Sequence, residues 1–204
     1  MSQPKNIAIL IMAAGASSRM GEPKQLLKWG ENTLIEHTIK TVLQLKQEKV
    51  ILVLGANYHD IFSVVNHYPV TVLNNKDWKS GLGSSIARGV QHILKTSKKT
   101  DAVFIVLADQ PFIDVSYLSE MITIFQSNQN TIIATAYKNN TFGVPVIFGK
   151  SYFSELSLLD TDKGAKQILI RDKDEIKQID YQLNKADLDT KSEYKDLYNQ
   201  TFND

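Results

Sequence analysis

The sequence contains no cysteine. Disulfides, zinc–thiolate sites, iron–sulfur clusters and cysteine nucleophiles are therefore excluded. An excess of charge of either sign is also missing, because 23 Lys and Arg stand against 22 Asp and Glu and leave a net charge of +1. Proteins that bind nucleic acids or membrane surfaces need a large positive field. We expect no nucleic-acid partner and no membrane partner.

Long hydrophobic runs and histidine clusters are missing as well. The apolar run Ile7–Ala14 falls short of the ~20 residues that a membrane span needs. With Lys5 before it and small residues after it, this run imitates a secretory signal, but cleavage there would remove the first predicted core strand. We therefore expect a cytoplasmic protein. The four histidines show neither HExxH nor another metal-ligand spacing; they are His37, His59, His67 and His92.

Hydrophobic residues make up 43% of the 204 residues, and their pattern predicts one α/β domain over residues 1–204. Six apolar runs of strand length do not alternate with polar residues, which is typical of strands covered on both faces: Ile7–Met12, Val50–Leu54, Val70–Leu73, Val103–Leu107, Thr131–Ala136 and Val144–Phe148. Segments of helical spacing lie between them. One follows the capping-box pattern Thr33-Leu34-Ile35-Glu36, and another follows Asp114, a candidate N-cap. A further strand at Ile176–Tyr181 and a helix from about Lys191 follow. This alternation predicts a mostly parallel sheet between two helical layers.

The segment after the first strand has the composition of a phosphate-binding loop. Gly15 and Gly21 permit backbone turns closed to other residues, and Ser17 and Ser18 add hydroxyl groups. Positive charge for phosphate oxygens comes from Arg19 and Lys24. The spacing fits neither GxxxxGK[ST] nor GxGxxG. An ordinary strand-to-helix turn with solvated charges is the alternative.

Residues Ala13–Leu27 read Ala-Ala-Gly-x-Ser-x-Arg-Met-Gly-x-x-Lys-x-Leu-Leu. This motif closely resembles the signature of MobA-like NTP transferases, and among them the molybdenum-cofactor cytidylyltransferase branch. Weaker blocks follow in the same order along almost the whole chain. The resemblance implies a Rossmann-like three-layer α/β/α nucleotidyltransferase fold. It also implies that the nucleotide is bound by Ala13, Ala14, Gly15, Ser18, Arg19, Lys24, Gly55, Asn75, Gly83 and Ser85.

Asp109 follows the apolar run Val103–Leu107 and precedes Gln110 and Pro111. A carboxylate at the end of a buried strand is placed to hold Mg²⁺, which prefers one or two carboxylates plus substrate phosphates. Capping of the following turn is the alternative. The resemblance implies that Asp109 binds the metal, and that Arg19, Lys24 and Asp109 form the catalytic set.

The segment from Asn75 to Ser85 follows the third apolar run and contains Gly81 and Gly83. The resemblance implies that this loop reads the nucleobase, with Ser85 as a base contact. The alternative is a Gly-rich turn in which Ser84 or Ser85 caps the next helix. We expect Trp78 to be a packing residue.

Two later segments resemble parts of the family that face the acceptor substrate. They contribute Gly143, Pro145, Gly164 and Lys166. Val144 and Lys166 depart from the commonest patterns of molybdopterin enzymes. Further on, Ala186–Thr190 resembles a late family segment whose aspartates supply a second carboxylate to the metal; Asp187 is the first candidate and Asp189 the second. Helix capping by Asp189 or Thr190 is the alternative.

The resemblance implies transfer of a nucleoside monophosphate, with CTP as donor and molybdopterin as acceptor, and a possible molybdoenzyme partner. The nearest alternative keeps the chemistry but uses a sugar 1-phosphate or another phosphorylated acceptor. An accessory protein that only binds nucleotide or cofactor and delivers it to a molybdoenzyme is a third hypothesis. Such a carrier would need neither Asp109 nor Lys24, so their joint presence favours an enzyme.

Overall fold

The computed structural model describes residues 5–18, 20–128, 131–137, 141–180, 188 and 190–203. Its strands are β1 (Ile7–Ala13), β2 (Lys28–Trp29), β3 (Asn32–Thr33), β4 (Lys49–Leu54), β5 (Thr71–Asn74), β6 (Ala102–Leu107), β7 (Ile132–Tyr137), β8 (Thr141–Gly149) and β9 (Ile176–Asp180). Seven of them form one sheet in the order β5-β4-β1-β6-β8-β7-β9. Strand β8 runs antiparallel to both of its neighbours, and the other pairs are parallel. The predicted mostly parallel sheet is confirmed.

Helices cover both faces of this sheet. They are α1 (Leu34–Leu43), α2 (Tyr58–Val65), α3 (Leu82–Thr96), α4 (Val115–Ser127), α5 (Phe153–Leu156), α6 (Lys166–Arg171) and α7 (Lys191–Phe202). Alternate residues of β1 enter two separate cores: Ile9 packs in the core that α1, α2 and α4 cover, and Leu10 packs in the core that α3, α5 and α6 cover. Since side chains alternate across a strand, an uninterrupted apolar strand needs both layers. The predicted three-layer α/β/α class is confirmed.

The helix starts read from the sequence agree with the structure at three positions. Thr33 and Glu36 form a reciprocal capping box at the start of α1. Asp114 caps α4 by accepting a hydrogen bond of 2.8 Å from the Tyr117 amide. Thr190 caps α7 and pairs with Glu193 in a second capping box.

Two elements of the structure were not predicted from the sequence. Helix α2 begins after Asn57, a residue type common at helix starts, but this residue has a left-handed backbone and makes no side-chain cap bond. The β2–β3 hairpin has only two residues in each strand, too few for a period to show.

Helix α3 begins at Leu82, with Gly81 as its N-cap, so neither Ser84 nor Ser85 caps it.

Helix α7 packs on the β2–β3 hairpin. The ring of Trp29 makes edge contacts with Tyr198 and Phe202 at centroid distances of 6.2 and 5.2 Å. The Tyr194 hydroxyl donates a 2.7 Å hydrogen bond to the Lys28 carbonyl oxygen. The last helix therefore supports the hairpin that follows the loop after β1, which we call the first loop (residues 14–27). None of the helices in the described ranges is long and apolar enough to cross a membrane.

Candidate active site

A crevice of about 440 Å³ opens beyond the carboxyl ends of β1 and β6. Ligands collect at this edge of open parallel sheets. The crevice brings together seven residues predicted for the site: Ala13, Ala14, Gly15, Ser18, Lys24, Ser85 and Asp109. Three separate stretches of chain thus meet at one place, as the strand ends predict. Arg19 lies outside the described residues.

The first loop is held in shape by its own polar groups. The Ser17 hydroxyl accepts a hydrogen bond of 3.1 Å from the Lys24 amide, which closes the loop on itself. Ser17 has a φ of 54° and Gly21 a φ of 72°, so these two residues make the left-handed turns. Ser17 therefore serves the loop itself, whereas Ser18 lines the crevice.

Lys24 and Asp109 form an ion pair across the crevice. The distance from Lys24 Nζ to Asp109 Oδ2 is 2.5 Å, and the two side chains are 16% and 18% exposed. The ammonium also donates to the Leu188 carbonyl oxygen at 3.2 Å. The first loop and the end of β6 are thus joined by opposite charges at the position where phosphates and a cation are predicted.

The backbone around Asp109 is anchored by groups from several elements. The Leu188 amide donates to the Asp109 carbonyl oxygen at 3.2 Å. His37 on α1 bonds through Nε2 to the Pro111 carbonyl oxygen at 2.9 Å. Gln110 is buried and its amide donates to the Tyr137 hydroxyl at 3.1 Å. A strand end held this firmly presents its carboxylate in a fixed position.

The anchor at His37 predicts a pH dependence of stability. Burial lowers the pKa of His37 below its ordinary value, although the bond to the Pro111 carbonyl oxygen acts in the opposite direction. The unfolded chain then takes up this proton before the native chain does, so the free energy of unfolding falls as the pH drops below about 6.5. We expect His37→Gln, which keeps a donor but cannot titrate, to reduce this slope in denaturant unfolding between pH 7 and 5. Equal slopes in the two proteins would contradict it.

Asp109 has the chemistry of a cation ligand. Its Oδ1 atom is buried and has no hydrogen-bond partner in the part of the chain that the structure describes. A buried carboxylate oxygen without a partner is costly unless a ligand satisfies it. The described residues contain no group of three or more His, Asp or Glu side chains that could hold a metal, so phosphate oxygens would complete the shell. Asp187 and Asp189, the candidates for a second carboxylate, lie outside the described residues.

The third stretch places a helix start against the crevice. Gly81, Leu82 and Ser85 line it, and α3 begins at Leu82. The amide groups at a helix N-terminus favour negative charge. Asn75 is buried behind them, and its amide donates to both Ser84 and Ser85 hydroxyl oxygens at 3.0 Å. Asn75 thus holds Ser85 in place and does not itself line the crevice.

Two predicted nucleotide-binding glycines occupy close-packed positions. A Cβ on Gly55 would lie 2.5 Å from the Trp78 Cβ and 2.8 Å from the Ala14 carbonyl oxygen. A Cβ on Gly83 would lie 2.4 Å from the Thr161 carbonyl oxygen. Both glycines let neighbouring segments approach behind the crevice. Their direct contact with a nucleotide stays a prediction.

The four residues predicted for the acceptor are not among those that line the crevice. Pro145 is buried and follows a cis peptide bond, and Gly143 lies against the Tyr137 ring. Gly164 has a φ of 54°, and Lys166 is exposed at the start of α6. Within the same stretch, Asp162 does line the crevice.

Three further residues of the crevice were missed by sequence reasoning or given another role. Gln25, Trp78 and Asp162 all line it. Trp78 was expected only to pack, and it both packs beside Gly55 and faces the crevice. Gln25 could have been proposed from the sequence, because it is a polar residue next to Lys24 within the first motif. The signal for Asp162 was its place at the start of the segment with Gly164 and Lys166, which resembles a part of the family that faces the acceptor.

Comparisons with known proteins show the family of this chain. The model of the MobA-like NTP transferase domain matches residues 9–176. Nicotine blue oxidoreductase of Paenarthrobacter nicotinovorans is 32% identical over 114 residues, 55% of this chain and 54% of that protein. Molybdenum cofactor cytidylyltransferase of Escherichia coli (strain K12) is 28% identical over 145 residues, 71% of this chain and 70% of that protein. The chain thus spans about half the length of the first relative.

A solved structure of a nucleotidyl transferase from Methanothermobacter thermautotroptrophicus has the same fold. The TM-score is 0.81 at 22% identity, and the match covers 97% of this chain and 98% of that one. The family match spans most of the main sheet and every described residue of the crevice. The chain belongs to the family of MobA-like NTP transferase domains.

Proposed function

We propose that this chain transfers CMP from CTP to the phosphate of molybdopterin, releases pyrophosphate and depends on Mg²⁺. The observation that carries the nucleotidyl transfer is the Lys24–Asp109 pair, which joins the glycine- and serine-rich first loop to the end of β6. The start of α3 faces the same crevice. Together these parts offer amide donors, a fixed ammonium and one carboxylate.

The reaction needs no nucleophilic side chain. An oxygen of the acceptor phosphate forms a new bond to the α-phosphorus of CTP, the bond from the α-phosphorus to the bridging oxygen breaks, and pyrophosphate leaves with both electrons of that bond. The protein has to hold three anionic groups in line and stabilise the leaving charge. Loop amides and the Lys24 ammonium supply positive potential at the crevice, and fixed groups of this kind favour a developing negative charge.

Asp109 would hold the divalent cation. A divalent metal is usual for MobA-like nucleotidyltransferases, and when bound it would neutralise phosphate charge and favour departure of pyrophosphate. The partnerless Oδ1 of Asp109 supports this assignment. We extend the proposal to Asp187 as a second carboxylate, because the neighbouring Leu188 bonds to the Asp109 backbone.

The choice of CTP and molybdopterin is supported by the first motif and by one relative. Ala13-Ala14-Gly15 resembles the CTP-using branch, and the E. coli relative bears the name of a molybdenum cofactor cytidylyltransferase. A sugar 1-phosphate or another phosphorylated acceptor is the second candidate. It is favoured by the departures at Val144 and Lys166 and by the absence of the four predicted acceptor residues from the described lining of the crevice.

A pyrophosphate-release assay tests the proposal. Each of the four nucleoside triphosphates is supplied with Mg²⁺, with and without molybdopterin. We expect release only with CTP and molybdopterin together. Equal turnover of CTP and GTP would contradict the choice of base. Nucleotide binding without release would redirect the search to other phosphorylated acceptors, and a screen of those without turnover would favour the carrier hypothesis.

A further inference from the structure

Gln25 is a polar side chain that the fold buries beside the first loop. It is only 3% exposed. Its side-chain amide donates to the Gly15 carbonyl oxygen at 2.9 Å and to the Ala13 carbonyl oxygen at 3.2 Å. Ala13 is the last residue of β1, and Gly15 lies in the loop that follows it and is predicted to bind phosphate. One side chain therefore fixes two peptide units of this loop.

Because the peptide bond is planar, these two contacts also determine where the neighbouring amide groups point. In a trans peptide the carbonyl of one residue and the amide of the next point in opposite directions. Holding the Ala13 and Gly15 carbonyl groups therefore turns the amides of Ala14 and Ala16 away from Gln25. Ala14 and Ala16 both line the crevice. Among the described residues, the Ala16 amide donates to no backbone carbonyl group, so it is available to a ligand.

The same side chain is linked to Lys24 through Ser17. The Ser17 hydroxyl donates to Gln25 Oε1 at 3.3 Å and accepts from the Lys24 amide at 3.1 Å. Ser17 is also a left-handed position, with a φ of 54°. Both ends of the Gln25 amide group are thus used, one by the loop carbonyls and the other by the turn that leads to Lys24.

We propose that Gln25 is a positioning residue that orients the amides of the first loop, and Lys24 with them, toward a phosphate chain. This inference rests on the proposed function, since it assigns the loop to the phosphates of a nucleotide. It implies that Gln25 governs affinity for phosphates and leaves recognition of the nucleoside unchanged. A residue that only filled space would affect neither in particular.

Gln25→Met tests the inference, because it keeps the length and bulk of the side chain and removes the amide. Gln25→Glu is the second variant: it keeps the shape and can accept from Ser17, but it cannot donate to two carbonyl oxygens. The matched control is Gln126→Met. Gln126 on α4 also holds backbone groups in place, because it makes hydrogen bonds of 2.8 and 2.9 Å with the amide and the carbonyl group of Lys5. Lys5 precedes the start of β1, at the opposite end of the strand from the crevice.

Isothermal titration with inorganic tripolyphosphate, CTP and cytidine, each with Mg²⁺, gives the readout. We expect both Gln25 variants to bind tripolyphosphate and CTP about tenfold more weakly, the loss of one well-placed contact to a charged group, and to bind cytidine as the wild type does. Gln126→Met should match the wild type with all three ligands.

The outcomes separate the inference from the proposed function. Wild-type affinity for tripolyphosphate in either Gln25 variant would overturn the positioning role alone. Equal losses for cytidine and tripolyphosphate would also overturn it, since they would indicate general damage to the crevice. A wild-type protein that binds neither CTP nor tripolyphosphate would overturn the proposed function.

Discussion

Replacing Asp109 with Asn is expected to lower kcat/KM for pyrophosphate release by about a thousandfold. The amide has nearly the same shape but is a weaker cation ligand, and a metal in such a site contributes several kcal/mol of transition-state stabilisation, at 1.36 kcal/mol for each tenfold change in rate. Oδ1 of Asp109 is the buried carboxylate oxygen that no described residue satisfies. The measurement is steady-state release with saturating Mg²⁺ and the acceptor found in the assay above.

Asp101→Asn is the matched control. Asp101 precedes the first residue of β6, and Asp109 lies just beyond the last. Its Oδ2 atom accepts a 2.9 Å hydrogen bond from the Asn6 amide, far from the crevice. We expect this variant to keep wild-type kinetics. An Asp109→Asn protein that retained a tenth of the activity or more would remove Asp109 from the metal site.

Replacing Lys24 with Met is expected to change two affinities in opposite directions. Binding of CTP should weaken by about 10- to 100-fold, because a charge-assisted contact with phosphate is lost. Binding of Mn²⁺ alone should strengthen, because the Lys24 ammonium lies 2.5 Å from Asp109 Oδ2 and repels a second cation from the same carboxylate. Calorimetry for CTP and electron paramagnetic resonance for free Mn²⁺ measure the two effects separately.

Lys79→Met is the control for charge. Lys79 also lines the crevice, but its ammonium lies over the Trp78 ring, 5.7 Å from the centroid. We expect a smaller loss of CTP affinity and no gain for Mn²⁺. If Lys24→Met weakened Mn²⁺ binding, the ammonium could not be a competitor of the cation, and the ion pair would have a structural role only.

The main sheet could be predicted because its strands are apolar along their whole length. Ile7–Ala13 is buried at every position, and a run of this kind stands out from its surroundings without knowledge of its partners. The capping box at Thr33 was readable for the same local reason. The β2–β3 hairpin could not be found this way, because its stability comes from aromatic contacts with Phe112 and with a helix some 170 residues further on.

The candidate site was predictable to the extent that its residues sit in loops after strands. Lys24 and Asp109 meet because their loops follow adjacent parallel strands, β1 and β6. The supporting contacts were not predictable. Gln25 reads as one more polar residue until its burial is known, and the sequence gives no sign of the hydrogen bond from Asn75 to Ser85. Contact of Asn75 with a nucleotide stays a prediction. Burial and long-range hydrogen bonds belong to the three-dimensional arrangement and leave no periodic signal.

The separation of the two tryptophans gives the protein two independent optical reporters. Trp29 is 4% exposed within the aromatic cluster of α7 and the hairpin. The wavelength and intensity of its emission therefore report whether α7 is packed on the hairpin. Trp78 faces the crevice, where a ligand would change the polarity around its indole ring. Since the sequence holds no other tryptophan, a change in tryptophan emission comes from one of these two places, and replacing either ring with Phe leaves the other as the reporter.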